Sequence, residues 1–175
     1  MGQKVNPIGL RLALNKNWSS HWFARKDNKN NFGDWLHEDL KIRSYIKKNF
    51  NNAAISKILV ERYGTRVRVT IYAARPGILI GRKGAELDAL KASVSKLLAQ
   101  GEELILDVVE IKQPETNAQL VAESVAQQLE RRIGFRRAMK KAIQVAMELG
   151  AEGIKIHCAG RLGGAELART EQYKE

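Results

Sequence analysis

The tetrapeptide Gly81-Arg82-Lys83-Gly84 sets two cationic side chains between two glycines, after "PGILI" and before the helix-patterned "AELDALKASVSKLL". The glycines allow a tight turn and close backbone approach. The helix that follows offers free N–H groups and a partial positive charge, so an anion is the natural guest. A bound nucleotide fails on spacing. A Walker-type loop needs four residues before its Gly-Lys-Ser/Thr, whereas Gly77 to Gly81 leaves three and Arg82 follows. A dinucleotide fingerprint needs Gly-x-Gly-x-x-Gly after a strand, and neither Gly77 nor Gly81 begins one. What remains is a loop that tracks a polyanion backbone.

A second constellation is "RRIGFRRAMKK", residues 131–141, with six Lys/Arg and no acid. On a continuous helix Arg132, Arg136 and Lys140 share one face, with Arg137 and Lys141 in the neighbouring row. If Gly134 breaks the helix, Arg136, Arg137 and Lys140 still cluster on the first turns of the second half. Either ridge contacts phosphates without reading sequence. A membrane-surface helix needs bulky apolar residues opposite the charge, whereas this one offers mostly Ala, Met and Ile suited to a protein core.

Chemistry of bond making finds no such support. His21, His37 and His157 are far apart, with no His pair at metal-ligand spacing. His157 and Cys158 are strand neighbours and point to opposite faces, so Cys158 reads as a core residue. The pair Glu102–Glu103 is isolated. The reading is a binding protein, with no enzyme activity, no cofactor, no metal and no small-molecule substrate.

The elements that position these groups follow from periodicity. The chain of 175 residues carries a net charge of +11, which attracts polyanions, chiefly nucleic acid or an anionic membrane face. Residues 1–30 contribute a net +5 and residues 31–100 a net +7, while residues 101–175 sum to −1 around the 131–141 block. No apolar run approaches the ~20 residues of a membrane span, the start lacks a secretory core, and one cysteine excludes an intrachain disulfide. No membrane partner and a cytoplasmic location are expected.

The first 30 residues are basic and weakly periodic, an irregular arm that needs a partner to order it. Trp35, Leu36, Leu40, Ile42 and Ile46 predict a helix over 34–50. "KILVERYG" and the alternating "TRVRVTIYA" predict two strands joined by a tight turn. "GILI" is a short helix, and Leu87, Leu90, Val94, Leu97 and Leu98 stripe the next one, followed by the strand "ELILDVVEIK". Beyond Pro114 the style changes. A helix capped by Thr116 or Asn117 buries Val121, Val125, Leu129 and Ile133. A second helix closes at Gly150, and "GIKIHCAG" is a short strand.

The glycine loop in this order of elements resembles a KH domain of type II, whose Gly-x-x-Gly clamp holds about four nucleotides of single strand. The fold class is α+β, with two small α/β domains. A basic N-terminal arm spans 1–33. The KH domain, a three-stranded sheet with helices on one face, spans 34–113, and a C-terminal α/β domain spans 114–175.

Four segments carry a wider resemblance: "MGQKVNPIGLRL", "GRKG" after "PGILI", "RRIGFRRAMKKAI" and "GRLGGAELART". In unbroken order from Met1 to Glu175, the chain resembles the bacterial S-three family of the small ribosomal subunit. The resemblance implies a structural protein that binds small-subunit ribosomal RNA in the head, beside the S-ten and S-fourteen families. It also implies a place at the channel by which messenger RNA enters. Arg136, Arg137 and Lys140 match the family's messenger-facing basic residues, which support unwinding. Lys4 and Arg11 match the arm's RNA anchors, and Arg161 of "GRLGG" an RNA contact; Arg132 and Lys141 add basic contacts beside them. Gln172 departs from the family's usual Trp, and the family usually continues further, adding strands to the second sheet. The competing readings are a free-standing KH-type RNA chaperone or regulator and an enzyme that uses a KH domain for delivery.

Overall fold

The strict alternation of "TRVRVTIYA" becomes strand β3 in a computed structural model that describes residues 2–24, 32–99 and 101–175. Elements are numbered in chain order, α1 (Pro7–Arg11), β1 (Ser20–His21), α2 (Phe32–Asn49), β2 (Ile55–Tyr63) and β3 (Arg66–Ala73). Then come α3 (Pro76–Ile80), α4 (Ala85–Ser95), β4 (Glu103–Glu110), α5 (Ala118–Glu130), α6 (Phe135–Glu148), β5 (Lys155–Gly160) and β6 (Arg169–Lys174). The basic stretch 25–31 of the expected arm lies outside the described residues.

Val67, Val69, Ile71 and Ala73 of β3 are buried, as the two-residue period demands. The turn to β2 places Gly64 at φ 61, in the left-handed region. On the other side of β3, Glu103 N–H donates to Thr65 O at 2.8 Å and Ile111 N–H to Ala73 O at 3.0 Å. That constant offset makes β4 parallel to β3, so the chain needs the crossover that α3 and α4 supply.

The sheet has four strands, in the order β1-β2-β3-β4, where the sequence predicts three. The extra strand comes from the arm. Ser20 and His21 pair parallel with Val60 and Glu61, and the arm also forms the turn of helix α1. A two-residue strand has no periodicity to detect, and what holds it is a set of side chains far away in sequence. Helix α2 also differs in its buried face, which holds Trp35, Asp39, Ile42 and Ile46. Leu36 and Leu40 are exposed.

The described chain divides into two compact units. The first comprises Met1–Ala53, Lys57–Tyr72 and Pro76–Val109; the second comprises Ala54–Ser56, Ala73–Arg75 and Glu110–Glu175. In the second, Asn117 caps α5 by accepting from Gln119 N–H at 3.2 Å, and its side chain also accepts from Ser56 Oγ at 3.1 Å. The core is Val125, Met139, Cys158 and Leu162, with Leu129, Phe135, Ala142, Ile156 and Tyr173 packed around it. Burial pushes the Cys158 thiol up, as suits a core residue. Helix α5 ends at Glu130, so Ile133, expected on its buried face, is 38% exposed. Strand β6 pairs antiparallel with β5 from Lys155↔Lys174 to Gly160↔Arg169, a strand the sequence reading does not anticipate.

Candidate nucleic-acid interface

Gly81 has φ 69, Lys83 φ 55 and Gly84 φ 84, three left-handed residues in a four-residue loop. A Cβ on Gly81 would stand 2.4 Å from Glu86 Cγ and 2.7 Å from its Cβ, so only glycine fits under the first turn of α4. Arg82 and Lys83 are exposed. Gly84 caps α4 without a side-chain hydrogen bond, and the N–H of Ala85, the first helical residue, turns back to Arg82 O. The same turn carries Glu86 and Asp88, which offset the helix dipole.

The start of α6 has the opposite electrostatics. After α5, Arg132 adopts φ 61 and Gly134 takes an extended φ −56, ψ 126 as the cap of α6. The helix is therefore broken, and Arg132 does not continue the row of Arg136 and Lys140. Arg136, Arg137 and Lys140 are exposed on the first two turns of α6, whose other face buries Ala138, Met139, Ile143 and Ala146. No acid lies in the first turn. Cations at a helix N-terminus oppose the dipole, so this end carries uncompensated positive potential. None of Arg132, Arg136, Arg137, Lys140 and Lys141 pairs with a carboxylate among the described residues.

Aromatic rings hold the stems in place. The Arg136 guanidinium lies 5.6 Å from the Phe135 ring centre, Arg169 lies 5.8 Å from the same ring, and Lys140 Nζ lies 5.9 Å from Tyr173. Arg169 is a member of this surface that sequence reasoning missed; its only signal is a basic residue in a stretch without apolar alternation. Arg161 donates from Nε to Ala165 O at 2.8 Å. It lines one pocket with Arg132, while Lys141 lines another with Arg75 and Glu115. In the first unit, Arg11 donates to Pro7 O at 3.0 Å on α1. Asn6 caps that helix by accepting from Ile8 N–H at 2.9 Å and Gly9 N–H at 3.2 Å. Lys4 is exposed. Thus Lys4, Arg11 and Gly81–Gly84 belong to the first unit, and the other basic candidates to the second.

A further charged cluster was not legible as such. Arg62 of β2, with its side chain 2% exposed, donates to Glu38 at 2.9 Å, Asp39 at 3.0 Å and Glu102 at 3.1 Å. Asp39 also accepts from Ser20 Oγ at 2.8 Å and Trp22 Nε1 at 2.9 Å. Arg43 donates to Ser19 O and Ser20 Oγ, each at 2.7 Å, and to Ile58 O. Trp22 meets Trp35 edge-on at 5.4 Å. These contacts pin β1 to the sheet. Burial raises the Glu102 carboxyl above its ordinary value, with Arg62 pulling the other way. Burial also lowers the Arg43 pKa, against the pull of Asp39.

Among the described residues, no three His, Cys, Asp or Glu side chains gather as a metal site, and no helix is long and apolar enough to cross a membrane. Residues 41–116 match the family model of the KH domain, and residues 125–175 match that of ribosomal protein S3, C-terminal domain. The small ribosomal subunit protein uS3 of Beijerinckia indica subsp. indica is 57% identical over 175 residues, which is 100% of this chain and 70% of that one. The protein of that name from Methylocella silvestris is 56% identical across 100% of this chain and 71% of its own. The one from Caulobacter vibrioides is 57% identical across 100% and 68%. With a KH unit, an S3-type C-terminal unit and relatives that align along its whole length, the chain belongs to the uS3 family of small ribosomal subunit proteins, structural constituents of the ribosome.

Proposed function

We propose that the chain grips ribosomal RNA in the head of the small subunit and lines the channel by which messenger RNA enters. There Arg136, Arg137 and Lys140 hold passing messenger by its phosphates and assist its positioning and unwinding. Three functional regions follow, a basic arm over 1–33, a KH region over 34–113 and a C-terminal region over 114–175. Lys4 and Arg11 of the arm serve ribosomal RNA, Arg132, Lys141, Arg161 and the Gly81–Gly84 loop are further RNA contacts, and proteins of the S-ten and S-fourteen families are the neighbours.

The observation that carries the messenger role is the start of α6, with three exposed cations, no acid in the first turn and no ion pair among the described residues. An internal salt bridge would neutralise such a ridge, and a structural helix start favours acids instead. Contacts to phosphate suit a strand that must slide past in any sequence. The test is to reconstitute small subunits with Arg136→Ala, Arg137→Ala and Lys140→Ala together and follow translation through a structured messenger. Slower passage through the duplex is expected, and unimpaired unwinding removes the role.

A further inference from the structure

Beside the α6 ridge is an open pocket of about 570 Å³, formed where the α5–α6 junction faces the glycine-rich turn after β5. Its size falls within the roughly 300–1,000 Å³ typical of ligand clefts. Leu129, Ile133, Phe135 and Leu162 supply apolar wall, and Arg132 and Arg161 are its charged lining; no carboxylate lines it. On the turn, Gly163 and Gly164 sit at φ 70 and φ 81, and a Cβ on either would meet nothing within 4 Å. That side of the pocket is therefore open.

Two features decide what such a pocket takes. Apolar wall gains nothing from a bare phosphate, but it gains from covering a flat, weakly polar ring. Guanidinium planes both stack on bases and hydrogen-bond their edges, which is how unstacked bases of single-stranded RNA are held. Arg161 is fixed through its Nε bond to Ala165 O, and both its amino groups have no partner among the described residues. Arg136 and Arg169 lie on the Phe135 ring, so a polyanion that arrives at the ridge reaches the pocket wall as well.

The geometry points to a base-binding pocket: one base of single-stranded RNA, splayed from its neighbours, inserts between the loops at 132–135 and 161–164 while its flanking phosphates lie on Arg136, Arg137 and Lys140. This rests on the reading of the ridge as an RNA contact and adds to it a hold on the base itself. The hold is tolerant of sequence, because every base presents a ring face. It gives the ridge a means of keeping a single strand single, since a base seated in the pocket is withdrawn from pairing.

The test compares a short single-stranded oligouridylate with the same oligomer bearing abasic sites, binding to the full chain at one salt concentration. Wild type should favour the intact oligomer roughly ten-fold, the scale of one base stacked on a side chain. Ile133 is already 38% exposed, so Ile133→Lys tests the wall without opening the core. It should collapse the preference towards one while the abasic oligomer still binds, which also reports a folded protein. Arg161→Gln should narrow the preference in the same direction. Equal binding of both oligomers by wild type overturns the pocket, and so does a preference that Ile133→Lys leaves intact. Loss of both oligomers alike on removing Arg136, Arg137 and Lys140 supports the ridge separately. A base preference that survives with no ridge effect overturns the ridge and leaves the pocket standing.

Discussion

Arg62 and the arginines of α6 are the same chemical group put to opposite use. Arg62 is enclosed and answers to three carboxylates, Glu38, Asp39 and Glu102. Arg136 and Arg137 are exposed and answer to no carboxylate among the described residues. A buried guanidinium without partners costs several kcal/mol, so the fold supplies them. An exposed one costs little, so the chain can leave it open and let a polyanion outside complete the pairing. Burial with satisfied partners marks a charge that builds the fold. Exposure without partners, in a row of one sign, leaves a charge available to a polyanion outside.

The contrast breaks most sharply at Arg62. Arg62→Met leaves three acids facing each other in a dry site and should destabilise the chain by about 3–5 kcal/mol, read as a lower urea midpoint at unchanged slope. If the midpoint holds, Arg62 is no more structural than the ridge. The triple variant Arg136→Ala, Arg137→Ala and Lys140→Ala should change folding stability by less than about 1 kcal/mol, since it removes cations from a helix N-terminus. In RNA binding it should shrink the slope of log affinity against log salt by roughly 0.7 for each lost contact, near two in all. A slope that does not move means the ridge does not hold phosphate.

The smallest effect is a pH dependence. Glu102 has a folded pKa raised above 4.5 by burial, so the folded state holds the proton longer than the unfolded chain. The stability it contributes is present below its ordinary range and is lost as pH rises through the raised value. Glu102→Gln removes that falling component. The difference in melting temperature, wild type minus variant, should therefore decline as pH rises from about 4.5, and a flat difference counts against the burial effect.

Long-range contacts explain what sequence reading reached and where it stopped. The β2–β3 hairpin, helices α3 and α4 and the glycine loop were legible because alternation, a helical stripe and glycine spacing are local signals. The start of α6 was legible as one of two arrangements, and Gly134 decides for the broken helix. Asp39 was not legible as a core residue, because its partners Ser20, Trp22 and Arg62 lie about twenty positions away on other elements. Periodicity favours Leu36 and Leu40 at that place, but the arm's hydroxyl and indole donors and the Arg62 guanidinium make burying the acid favourable. Strand β6 failed to show for a different reason. It covers one edge of a two-stranded sheet, and of "RTEQYK" only Glu171 and Tyr173 are even half-buried, so no apolar alternation is required. The pocket was invisible because its two loops stand nearly thirty residues apart in the chain.

The anchoring of β1 has a consequence for how the arm engages a partner. With Ser20 and Trp22 held on Asp39, the basic segment before them is tethered at a fixed point instead of trailing from α2. Once the first unit touches a polyanion, Lys4 and Arg11 search only the volume that a short leash permits. Their second contact then becomes intramolecular, governed by an effective concentration that shorter leashes raise. Trp22→Phe would delete the indole donor and weaken, without touching a single charge, a tether that Ser20 and Arg43 still hold.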